Sequence, residues 1–217
     1  MGITATAYPL GVGAARPAAD GIFAERRQAA RNTAMGALLA FSRAIDAVSD
    51  RFGRIADWMV LGACAVSAGN AFLRYGISAS SNAWLELQWY LFAGVVMLGG
   101  AHTLFRNEHV RVDILYGWVA PRTRLWIDIL GLILFLLPAM ALLAWMTWPM
   151  FLDSFWRGEV SANPGGLLRW PVKLLLPLGF ALMVAQGLSE LVKRIAVLRG
   201  VPTGGAQVFT EYARPEQ

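Results

Sequence analysis

The sequence predicts an all-α membrane protein, with four transmembrane helices and an amphipathic N-terminal interfacial helix. Three observations predict it. The 217 residues are 57% hydrophobic and only 15% charged, where a soluble domain carries roughly 25% charge. The apolar excess falls in four runs, each near the ~20 residues that cross a bilayer core. The lysines and arginines that give the net charge of +5 sit beside the ends of those runs. That placement reads as membrane topology, not as a nucleic-acid surface.

The elements follow in chain order. Residues 1–23 are Gly, Ala, Pro and Thr with little periodicity and read as a disordered tail. Arg16 and Asp20 interrupt it, so it has no secretory signal core. Residues 24–55 read as an amphipathic helix. Leu38, Phe41, Ile45, Val48, Phe52 and Ile55 recur at alternating steps of three and four, opposite Arg43, Asp46, Asp50, Arg51 and Arg54. Such a helix is too polar to span and is expected on the membrane surface or a partner, before the chain turns inward.

The transmembrane domain is expected over 56–196, with spans near 57–77, 84–105, 124–150 and 171–195. The first span is rich in small residues, with Ala65/Gly69 and Ser67/Ala71 spaced for close helix approach. Cys64 stands alone, so no intramolecular disulfide or thiolate cluster forms, and it reads as a small buried filler. The second span opens on Trp84, Glu86, Gln88, Trp89 and Tyr90, and Glu86 is placed to pair with Arg74. Gly94, Gly99, Gly100 and Ala101 form a second close-packing surface. The third span contains Pro138, where a kink or strong tilt is expected. Asn163-Pro164-Gly165-Gly166 marks a turn in the 151–170 loop. Residues 197–217 form a second tail. The side carrying Arg43, Arg51, Arg54, Arg106, Arg111, Arg122, Arg124, Lys193, Arg194 and Arg199 outnumbers the side carrying Arg74, Arg157, Arg169 and Lys173. Both termini are therefore expected in the cytoplasm.

Little in the chain could carry chemistry. His102 and His109 are the only histidines and lie seven residues apart, at a helix end and in the loop beyond. Neither bis-histidine haem ligation nor zinc fits that placement. Glu86 is the foremost ionisable residue near the membrane, and it reads as a structural ion pair or subunit contact rather than a proton-coupling group. Arg106, His109, Arg111 and Asp113 could bind an anionic solute, but they read better as a headgroup anchor shared with a protein partner. No phosphate loop, nucleophile elbow or paired-carboxylate pattern occurs, so no catalytic site and no cofactor are expected. No internal repeat supports a free-standing transporter.

Trp84-Leu85-Glu86-Leu87-Gln88-Trp89-Tyr90, Glu108-His109-Val110-Arg111-Val112-Asp113 and Pro121-Arg122-Thr123-Arg124 carry a resemblance, joined by Gly165-Gly166-Leu167, Trp170-Pro171-Val172-Lys173 and Pro177-Leu178-Gly179-Phe180. Over about residues 45–195 the chain resembles the small membrane subunit, or Q subunit, of the tripartite ATP-independent periplasmic (TRAP) transporters. The resemblance implies a non-catalytic subunit of the bacterial inner membrane. It implies a large multi-span membrane subunit and a periplasmic solute-binding protein as partners, the latter docking near 151–170. It implies import of an organic acid or related solute on an ion gradient, with substrate sites in the partners. Ala65, Gly69, Glu86, Gly99, Arg106, His109, Arg111 and Asp113 then become candidate contacts with subunit or lipid. A membrane-anchor cytochrome and a stand-alone scaffold are the competing classes.

Overall fold

The computed structural model describes residues 16–78, 81–108 and 119–201. The chain divides into two units, Met1–Ala37 and Leu38–Gln217. The first is helical from Arg16 onward, and the second forms the bundle. The helices are α1 (Arg16–Gly76), α2 (Asn82–Arg106), α3 (Pro121–Gly131), α4 (Leu137–Arg157) and α5 (Trp170–Leu198), with a π-helical segment, Leu132–Leu136, joining α3 to α4. Among the described residues the only extended pairing is one antiparallel bridge, Val160 to Leu168.

Among the described residues, three stretches are long and apolar enough to cross a membrane: Met35–Gly76, Arg122–Arg157 and Trp170–Leu198. The 25 residues of α2 are long enough, but Gln88, Gly99, Gly100 and His102 dilute its apolar run.

α1 departs from the sequence reading in three ways. It begins at Arg16, inside the stretch 1–23 expected to be a disordered tail. It runs unbroken through residues 55–57, where the chain was expected to turn inward. No proline or paired glycine stands there to break it. The side that packs is also unexpected: it is neither the apolar stripe nor the arginine-bearing face, but the strip between them. Leu38, Phe41, Val48 and Ile55 from the apolar stripe are exposed. Leu39, Ser42, Asp46, Ser49, Gly53 and Ala56, again at steps of three and four, are buried. In lipid an outward apolar stripe has apolar solvent to meet, and association relies on small side chains and internal polar bonds. The expectation for Cys64 also fails, since it is exposed.

α2 begins at Ser81, whose Oγ accepts from the Ala83 N–H at 3.2 Å. It ends at Asn107, which adopts the left-handed conformation with φ of 59°. Asn107 and Glu108 donate back to Leu104 and Thr103, so the last carbonyls of the helix are satisfied. A π segment stands just before Pro138, where the sequence suggests a kink or strong tilt. There the Leu137 N–H donates to the Leu132 carbonyl, as a wider turn beside a proline that cannot donate allows.

α5 packs against both α2 and α4. Gly179 makes the approach to α2 close: a Cβ built there would lie 2.7 Å from the Met97 carbonyl oxygen. At Gly53 of α1, a Cβ would lie 2.3 Å from the His102 ring. Both contacts require hydrogen where other residues carry carbon.

Candidate functional site

Two clusters of polar side chains stand out, one between helices and one on a loop. The first grows from a polar stripe on α5. Gln186, Ser189, Glu190, Lys193 and Arg194 recur with helical period and are all buried. They face Ser42, Asp46 and Ser49 of α1, likewise buried. Lys193 Nζ lies 3.0 Å from Asp46 Oδ1 and 2.5 Å from Glu190 Oε1. Arg194 donates through Nε to Asp128 Oδ2 of α3 at 3.1 Å, and through its other arm to Glu190. Gln186 donates to Asp46 at 3.0 Å and accepts from Ser49 at 2.7 Å. Ser189 donates to Asp46 at 2.9 Å, and the Ser42 and Ser189 hydroxyls meet at 2.6 Å. Lys193 Nζ also stands 5.4 Å from the centroid of Phe105 on α2, within cation–π range.

This network joins α1, α3 and α5, with α2 closing it through an aromatic ring. Lys193 is fully buried. A charge so placed persists only when opposite charges and hydrogen bonds replace its water. Both acceptors of Asp46 and both acceptors of Glu190 are engaged with such partners.

One turn along α1, Asp50 forms a more open cluster. Arg106 NH2 lies 3.2 Å from Asp50 Oδ1, Arg54 lies 3.4 Å from its Oδ2, and His102 Nδ1 stands 3.9 Å away. Arg106 therefore ties the end of α2 to α1.

The second cluster belongs to the loop between α4 and α5. Gly158, with φ of 58°, closes α4. The Gly166 N–H donates to the Asn163 carbonyl at 2.9 Å, and Gly165 between them has φ of 70°. That Pro–Gly order belongs to a type II turn, as the turn signal predicts. The Glu86 carboxylate of α2 reaches this loop. Ser161 Oγ and Asn163 Nδ2 both donate to Oε1, the latter at 2.8 Å, and the Leu167 N–H donates to Oε2 at 2.7 Å. At the loop's base, Lys173 donates to Glu159 and Arg169 NH1 stands 3.9 Å from it. The Lys173 bond, foremost, holds the Glu159 carboxyl below the usual carboxylate range.

The expected pairing of Glu86 with Arg74 does not form. Glu86 faces the loop, and Arg74 is exposed. The three loop donors offer shorter and more numerous bonds than one exposed guanidinium would. Gly99 lies inside the chain, its Cβ position 3.7 Å from Ala56. Ala65 is exposed, and a Cβ built on Gly69 would meet nothing within 4 Å. His109, Arg111 and Asp113 lie outside the described residues. The buried network escaped the sequence reading, which placed Asp46 on an outward polar face and Lys193 and Arg194 beyond a span. The signal was available: two polar stripes of helical period, one on each helix, with complementary charge.

Residues 63–197 match the family described as the DctQ component of the tripartite ATP-independent periplasmic transporters. The match covers more than half of the chain. The chain belongs to the DctQ family. It is thus a non-catalytic, multi-pass membrane component of a TRAP transporter with a role in solute transport. No curated protein and no solved structure matches it. The whole Glu86 cluster falls inside the DctQ segment, whereas Ser42, Asp46 and Ser49 precede it.

Proposed function

We propose that the chain is the small permease subunit that scaffolds the large TRAP membrane subunit, with four crossings and both termini in the cytoplasm of a bacterium. The assembly would import an organic acid or related solute on an ion gradient, and a periplasmic binding protein would deliver the solute by docking near residues 151–170. The observation that carries this reading is the buried network itself. Lys193, Arg194, Asp46, Glu190 and Asp128 bind one another across α1, α3 and α5. Such pairing holds helices in place, as a scaffold requires. The Lys and Arg excess beside Arg54, Arg106 and Lys193 supports the orientation. The exposed Ala65 and open Gly69 offer a face for a partner helix. Membrane lipids cover the remaining apolar surface.

The test is a mild-detergent pull-down of the tagged chain expressed with its gene neighbours. A stoichiometric multi-span protein is the expected result. Recovery of the chain alone would overturn the reading, and a Soret band in that sample would redirect it to a cytochrome. Gly69→Leu is expected to lower recovery of the large subunit several-fold, with the thermal unfolding of the isolated chain unchanged.

A further inference from the structure

We infer that Glu86 is a positioning residue for docking: it holds the 159–169 loop in one shape before the periplasmic binding protein arrives. The inference rests on the proposed docking of that protein near 151–170.

A loop that merely joins two helices at a membrane edge satisfies its backbone with water. This one does not. Ser161 N donates to the Leu167 carbonyl at 2.9 Å and Arg169 N to the Glu159 carbonyl at 2.8 Å, which folds the loop back on itself. Three further donors of the loop converge on one carboxylate that belongs to a helix 75 to 81 residues earlier. A fourth contact, from Asn82 Nδ2 to the Pro164 carbonyl at 3.2 Å, holds the tip to the start of α2. An ionised carboxylate can accept all three donors at once, which a neutral side chain of the same size cannot.

The inward groups of the loop are therefore fixed from beneath, and its outward groups are presented. Val160 and Leu168 of the loop are exposed, as is Trp156 beside it at the end of α4, and Arg169 stands at the rim with nearly half of its side chain accessible. A tryptophan and an arginine at one rim are the residue types that anchor interfaces, with the apolar side chains beside them excluding water. A loop already ordered loses less freedom when a partner binds, so the same contacts yield tighter binding. Glu86 touches no solute in this scheme and acts only through the loop.

The test uses the chain assembled with its large membrane subunit in lipid nanodiscs and titrated with the purified periplasmic binding protein. For Glu86→Ala and Glu86→Gln the dissociation constant is expected to rise about tenfold or more. Amide exchange at Ser161 and Leu167 should quicken in step, with the yield of assembled complex unchanged. Ser161→Ala removes one bond of the three and should move both readouts in the same direction by less. If Glu86→Ala fails to assemble, Ser161→Ala and Asn163→Ala carry the same test from the loop side. Faster exchange with an unchanged dissociation constant overturns the inference, and so does unchanged exchange. Leu168→Arg separates the two levels. If it weakens binding while the Glu86 variants do not, the positioning role alone falls. If it leaves binding untouched, docking at this loop falls, and the role of Glu86 with it.

Discussion

The two carboxylate-centred clusters solve one problem in opposite ways. Asp46 and Glu190 lie between helices and are matched by Lys193 and Arg194, cations that are themselves buried. Glu86 sits at the rim and is matched by a hydroxyl, an amide and a backbone N–H. Inside the bundle opposite charge, joined by hydrogen bonds, offsets the lost hydration of charge. At the edge water remains at hand, and neutral donors suffice to give the carboxylate a fixed direction. The first arrangement locks helices to one another, and the second shapes a loop. Burial decides which a carboxylate can do.

Breaking one member of each cluster should expose that difference. Lys193→Met leaves Asp46 and Glu190 facing each other without their shared cation. It is expected to destabilise the detergent-solubilised chain by about 3–5 kcal/mol, read as a large fall in thermal midpoint. Adding Asp46→Asn to Lys193→Met should restore part of the loss, and a purely additive double variant would contradict the pairing. Gly179→Leu drives carbon into the Met97 backbone and should cost about 1–3 kcal/mol, again by thermal unfolding.

Acid sharpens the contrast at the loop. Because the folded carboxyl of Glu159 titrates below its ordinary value, its bond to Lys173 stabilises the loop above about pH 4.3, the unfolded value. That contribution is lost as pH falls through the folded value. The protection of the 159–169 amides, taken relative to the intrinsic exchange rate at each pH, should therefore fall on acidification through that window, and Lys173→Met should shrink the pH step. The smallest effect is expected at Arg157→Ala, whose pair with Asp153 is largely exposed. A change of about 0.5 kcal/mol or less is predicted, and 1 M salt should abolish it.

Much of the architecture was legible because long apolar runs have few alternatives in a bilayer. The turn at Asn163-Pro164-Gly165-Gly166 was legible because proline and glycine dictate their own backbone angles. The direction of α1 was not. An apolar stripe in a membrane helix faces lipid as readily as it faces a core, so periodicity at Leu38, Phe41 and Val48 gives the helix but not the side that packs. Asp46 and Gln186 are 140 residues apart, and Glu86 and Leu167 are 81 apart. Local pattern places each on its helix or loop and leaves the partner undetermined. Glu86 was singled out for a contact, and only the folded loop identifies which.

The buried polar strip of α1 bears on how the chain is made. Its first half emerges from the ribosome early, with Ser42, Asp46 and Ser49 along one side and their answering groups on α5 not yet synthesised. Until α5 arrives, that side has only water or headgroups to satisfy it. A later segment thus seals an earlier one. A product truncated before Lys193 would retain an unanswered acidic groove, a defect by which the cell's membrane proteases could tell an unfinished subunit from a finished one.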